Sequence, residues 1–234
     1  PWVTGIYHDP RNALALQIET KGNVTRIGQQ FSGSEWWSIF GNELPSFNLQ
    51  LGKAYPYSLL VETGASDCGL ELGGLPLHNL KIRQGAGKFA VDFSLPNPQR
   101  LSKFSVEGGA SSLEMNCLVN ANFAEMSVAG GAASYKLNFD GKLQQDATVR
   151  INAGVSSVEI EVPAATATRI ISDATIGSVN DDTCGCCGWY FNQPQQPHVS
   201  SATRPSAASM SAMALPNNKV HFAHRPPSPV IRHS

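Results

Sequence analysis

A glycine followed by alanine or valine returns five times along this chain at near-equal spacing: Gly64-Ala65, Gly85-Ala86, Gly109-Ala110, Gly131-Ala132 and Gly154-Val155. The step averages about 22 residues, the length of one supersecondary unit in a repeat architecture. Four, six and eight residues after each glycine stand Cys68, Leu70 and Leu72, then Phe89, Val91 and Phe93, Leu113, Met115 and Cys117, Tyr135, Leu137 and Phe139, and Val158, Ile160 and Val162. Five and three residues before it stand Leu59 and Val61, Leu80 and Ile82, Phe104 and Val106, Met126 and Val128, Val149 and Ile151. Apolar residues at period two are the mark of a half-buried strand. Each unit therefore reads as two strands flanking a glycine-centred bend.

A single two-stranded unit is at best marginal in water, so the units must stack to complete a core. The predicted fold is all-β: stacked two-strand repeats of about 22 residues, a β-solenoid with protected ends. Glycine at the bend suits either a positive φ or close approach of the next rung. Replacing Gly109 or Gly131 is therefore expected to destabilise. A partial sixth unit is read at Arg169-Ile170-Ile171 and Ile176-Gly177-Ser178-Val179, as a worn last rung.

The outward positions carry their own pattern. Two residues before the glycine the units read Glu62, Arg83, Glu107, Ala129 and Asn152, so in-register stacking at about 4.8 Å places Arg83 between two carboxylates. Seven residues after it the column is Glu71, Asp92, Asn116, Asn138 and Glu161. Adjacent acids there offer oxygen ligands to a hard cation such as Ca²⁺, and a solvated strand face is the plainer alternative.

On these residues, above all GASDCGLELGGLPLHNLKIRQGAGKFAVDF, the chain resembles the toast-rack domain over about residues 45 to 180. That domain occurs in the extracytoplasmic part of LiaF-like cell-wall-active antibiotic response proteins and in related adhesin-like β-solenoids. The resemblance implies a cell-envelope, extracytoplasmic location and a non-enzymatic role, in some members as an accessory regulator of envelope-stress signalling. It brings no catalytic residues.

Three regions are expected. Residues 1–44 read as an N-terminal β-hairpin cap, in which Leu14, Leu16 and Ile18 alternate, Lys21-Gly22-Asn23 turns, and Val24 to Ile27 returns. Trp36 and Trp37 follow, as candidates to stack on a sugar ring or seat a partner, or to cover the first rung. Residues 45–183 form the repeat domain. Residues 184–234 hold seven of the 15 prolines, seven serines, four of the six histidines and four basic residues with no acid, a composition that reads as a disordered basic tail.

Only 15% of residues are charged and the net charge is −1, which gives no general attraction to nucleic acid or anionic lipid. No run approaches the ~18 consecutive apolar residues of a membrane span, and no signal peptide is present. An anchor is expected to lie outside this sequence.

The chemistry-bearing residues are sparse. Cys184, Cys186 and Cys187 cluster, with His198 nearby as a fourth ligand for zinc or copper, but the second pair of a standard thiolate site is missing. Cys68 and Cys117 occupy inward positions and read as small buried hydrophobes. His8 and His78 are the only histidines outside the tail, neither beside a recognisable nucleophile motif. The expectation is no enzyme, no cofactor and no metal. Two function classes survive: an envelope interaction domain with a membrane-protein partner, and a module that binds cell-wall glycan through Trp36, Trp37 and the loops.

Overall fold

Burial along the strand Leu77–Asp92 skips a beat at its glycine. Leu80, Ile82 and Gln84 are buried before Gly85, and Phe89, Val91 and Phe93 after it. Even- and odd-numbered residues of a flat strand face opposite sides. Both sets reach one core only if the sheet folds over along the glycine column, and that fold organises the molecule.

The computed structural model describes residues 3–9, 14–31, 45–154, 156–163, 166, 169–172, 179–181, 188–191, 208–214 and 219–220. Two compact units divide the chain, Pro1–Ala54 and Tyr55–Ser234. The first unit has four strands: β1 (Val3–His8), β2 (Leu14–Lys21), β3 (Val24–Phe31) and β4 (Ser46–Leu51). As the sequence predicts, β2 and β3 form a hairpin, with Lys21 opposite Val24. Gly22 takes φ 60° at the first position of the two-residue turn, where glycine is favoured. Strands β1 and β4 pair antiparallel, and the partners Tyr7 and Phe47 bring their rings to 4.8 Å.

The second unit opens with β5 (Tyr57–Ala65), β6 (Cys68–Glu71), β7 (Leu77–Asp92), β8 (Lys103–Asn116), β9 (Glu125–Gly130), β10 (Ser134–Asn138), β11 (Thr148–Ala153) and β12 (Ser156–Val162). They build two parallel ladders. One runs through β5, the first halves of β7 and β8, β9 and β11. The other runs through β6, the second halves of β7 and β8, β10 and β12. The register Thr63–Gln84–Gly108–Gly130–Ala153 aligns all five repeat glycines. The result is a β-solenoid of about five turns.

In the second to fifth rungs the predicted inward residues are buried, with one exception. Each large side chain so placed contributes roughly 1.5–3 kcal/mol relative to exposure. The exception is Cys117, a half-buried residue that leaves the strand in the left-handed region (φ 53°) to start a 3-10 turn at Leu118–Ala121. In the first rung Leu59, Val61, Cys68 and Leu70 are half-buried, since a terminal rung has a ladder neighbour on one side.

Opposite the glycine column the core is closed by the inter-rung loops. Phe93, Phe104 and Phe123 pack edge to face at 6.0 and 5.8 Å. Around them runs a ladder of amides. Asn97 Oδ1 accepts from Leu75 N–H (3.1 Å), Asn97 N–H donates to Asn120 O (2.7 Å), and Asn120 Nδ2 donates to Phe93 O (2.9 Å). Asn120 Oδ1 in turn accepts from Lys142 N–H at 2.9 Å. Buried backbone groups of the loops thus find partners on neighbouring rungs, as burial requires.

Close approach, not positive φ, explains Gly85, Gly109 and Gly154, whereas a Cβ on Gly64 would meet nothing within 4 Å. A Cβ on Gly85 would lie 2.8 Å from Gly64 O, and one on Gly109 would run into Gly85 O. Gly131 departs from expectation: its Cβ would sit 3.6 Å from Gly109 O, an ordinary contact. A methyl group fits there without displacing the neighbouring rung, so glycine is not required.

The expected sixth rung does not join the parallel ladders. β13 (Arg169–Ser172) pairs with β15 (Gly188–Phe191), and β14 (Val179–Asp181) with β16 (Ala208–Ala214). β16 takes the edge of β12 antiparallel, from Ser156 opposite Ala214 to Val162 opposite Ala208, and β17 (Lys219–Val220) takes that of β11. The edges a sixth parallel rung would need are occupied.

Candidate functional site

The glycine ridge has no side chains of its own, so the outward residues beside it stand over bare backbone. Across the first three rungs this leaves an open groove of about 480 Å³. Its floor is Gly64, Gly85 and Gly108, its wall Glu62, Arg83 and Glu107, with Thr63 and Gln84 between.

The wall is the charge column foreseen in the sequence. Arg83 Nη1 donates to Glu62 Oε1 at 2.6 Å and Arg83 Nε to Glu107 Oε2 at 3.1 Å, while Lys81 Nζ reaches Glu107 Oε1 at 2.7 Å. Hydrogen bonds donated to Glu62 and then to Glu107 raise the Arg83 pKa, keeping the guanidinium charged. The Lys81 ammonium, and after it Arg83, holds the Glu107 carboxyl below the usual carboxylate range. Arg83, Glu62 and Glu107 are about half exposed and Lys81 about a third, so the column fixes register and presents charge more than it stabilises.

In the second acidic column, Glu71 and Glu161 are committed to structure. Glu71 Oε1 accepts from the backbone N–H of Gly73 (2.7 Å) and Ser94 (3.3 Å), and Asn138 Nδ2 donates to Glu161 Oε2 (2.8 Å). Among the described residues no three His, Cys, Asp or Glu side chains gather as a metal site, so the cation reading of Glu71 and Asp92 finds no support. Cys68 and Cys117 are free. Burial raises the Cys68 thiol pKa, and burial followed by the carboxylates of Asp92, Asp140 and Glu71 raises that of Cys117. Neither is an activated thiolate.

Trp36, Trp37, Cys184, Cys186, Cys187 and His198 all lie outside the described residues. The groove floor and the asparagine ladder were not foreseen. The ladder had a signal, since Asn97 and Asn120 stand one repeat interval apart. So had the groove, since the position before each glycine reads Thr63, Gln84, Gly108, Gly130 and Ala153, small or polar where the next inward positions are apolar.

Residues 2–116 match the family model described as the N-terminal domain of toast_rack, DUF2154. No curated protein and no solved structure matches the chain. The matched stretch contains the whole groove and the first three rungs. With the repeat register and the all-β stack already in place, residues 2–116 carry a domain of the toast-rack family.

Proposed function

We propose that this chain is a non-enzymatic interaction domain of the bacterial cell envelope, which presents its ridge to a membrane-protein partner outside the cytoplasm. Family membership suggests envelope association, and the toast-rack β-solenoid is not a typical enzyme fold. Among the described residues no helix is long and apolar enough to cross a membrane. One observation carries the reading. Lys81, Glu107, Arg83 and Glu62 are fixed to one another on the exposed side of a hydrogen-bonded ladder, so a partner would meet pre-set charges at little cost in ordering entropy. An accessory role in envelope-stress signalling is the specific form proposed.

The test is affinity capture from gently solubilised bacterial membranes with the full chain and with its Lys81→Glu/Arg83→Glu form. Recovery of a membrane sensor by the first and its loss with the second is expected. Equal recovery by both, or by neither, refutes the role of this face. The open polar groove favours a second reading, a cell-wall glycan module. Binding to insoluble wall that Glu62→Ala/Glu107→Ala abolishes would move the function there.

A further inference from the structure

Inside the fold, directly beneath the ridge, the core changes character. The inward positions next to the bend read Thr63, Gln84, Gly108, Gly130 and Ala153 on one ladder and Ser66, Gly87, Ser111, Ala133 and Ser156 on the other. All but Gln84 are small, whereas the inward positions beyond them are large and apolar. The fold line is therefore a stretch of the described core where small and polar side chains replace large apolar ones.

Five polar atoms are buried along it. Thr63 Oγ1, Ser66 Oγ, Gln84 Nε2, Ser111 Oγ and Tyr135 OH have no hydrogen-bond partner among the described residues. Gln84 is 6% exposed and Tyr135 1%. Orphaned buried groups are rare in native folds and commonly mark ordered water. Two of them converge. A Cβ on Gly108 would lie 3.2 Å from Ser111 Oγ and 3.5 Å from Tyr135 OH, and one on Gly130 would overlap Tyr135 OH. The Tyr135 ring thus extends into space that Gly108 and Gly130 leave open, and its hydroxyl and Ser111 Oγ both face the Gly108 Cα. Burial raises the Tyr135 pKa, so the phenol keeps its proton and can both donate and accept.

We propose that the fold line is a wet seam, a file of ordered water held by Thr63, Ser66, Gln84, Ser111 and Tyr135. Five groups, with roughly two to four bonds per buried water, call for about two or three molecules. The groove supplies the entrance, since Thr63, Gln84 and Gly108 line it. One water bridges Ser111 Oγ and Tyr135 OH at Gly108, and the others serve Gln84 and the first-rung hydroxyls. The seam holds adjacent rungs together where the glycines leave no side chains to pack.

Two measurements on the full chain test it. A crystal structure at a resolution that defines ordered solvent should show water density within hydrogen-bond distance of both Ser111 Oγ and Tyr135 OH. An empty site, or a direct bond between the two hydroxyls, overturns the proposal. The second is the sign of the Tyr135→Phe effect, since Phe keeps the ring and removes only the hydroxyl. A hydroxyl bonded to ordered water is missed when removed, and a melting temperature lower by about 2–4 °C is expected. A dry, orphaned hydroxyl is better removed, so an unchanged or raised melting temperature refutes the seam.

Discussion

Two glycines of one column are expected to respond oppositely to the same substitution. Gly109→Ala places a methyl group against Gly85 O, well inside the 3.4 Å at which ordinary contact begins, whereas the same methyl at Gly131 meets Gly109 O at 3.6 Å. Relieving the first overlap means parting two rungs by about 1 Å against a spacing of roughly 4.8 Å, which strains the ladder bonds on both sides of the ridge. Overpacking of this kind costs about 1–3 kcal/mol. Alanine also lowers the entropy of the unfolded chain, which offsets about 0.4–1 kcal/mol where the native backbone accepts it. Gly109→Ala should therefore be destabilised by about 1–2 kcal/mol, and Gly131→Ala should match or slightly exceed the parent. At roughly 2–4 °C per kcal/mol for a domain of this size, calorimetry should separate the variants by about 2–10 °C. Equal melting of the two, or a parent-like Gly109→Ala, would show that close approach does not explain the ridge.

Two further outcomes are expected elsewhere. Asn120→Ala removes the donor to Phe93 O and the acceptor of Lys142 N–H; at about 1–3 kcal/mol per orphaned buried group it should lower the urea midpoint substantially, and a parent-like midpoint would contradict the ladder. Arg83→Met should have a small, salt-sensitive effect because the column is exposed. Its sign with pH follows from Glu107, whose folded pKa is depressed by Lys81 and Arg83: the stabilisation is present above the ordinary carboxylate pKa and lost as pH falls through the depressed value. The parent's margin over Arg83→Met should therefore shrink on acidification, and a margin constant with pH would contradict the ion pairing.

The parallel rungs were legible in the sequence because burial at period two repeats five times, and register follows once the glycines are aligned. The Glu62–Arg83–Glu107 column was legible for the same reason, since residues one repeat apart become ladder neighbours. Departures arise where something other than alternation decides. Cys117 holds an inward position in the pattern, but the backbone has already turned left-handed into the following loop. Gly131 has the same sequence signature as Gly109, yet whether glycine is needed depends on how near the neighbouring rung's carbonyl comes, which no pattern encodes. The worn sixth rung carries apolar residues of the right kind, and an antiparallel strand far downstream of β12 holds the edge instead. Competition between strands for an edge is a long-range matter. The groove went unseen because glycines and a glutamine look like bend chemistry until the wall of charged side chains is placed beside them.

The asparagine ladder has a consequence for how the rack keeps its pitch. Repeat intervals are unequal, shortest from Gly64 to Gly85 and longest from Gly85 to Gly109, yet the strand positions hold constant offsets from each glycine, so the surplus falls in the connectors. Left alone, connectors of unequal length would bulge by unequal amounts. Asn97 and Asn120 clip each connector to its neighbours at a fixed point, so slack gathers between clips and never reaches the strands. The amides act as a gauge that turns repeats of uneven length into rungs of even height.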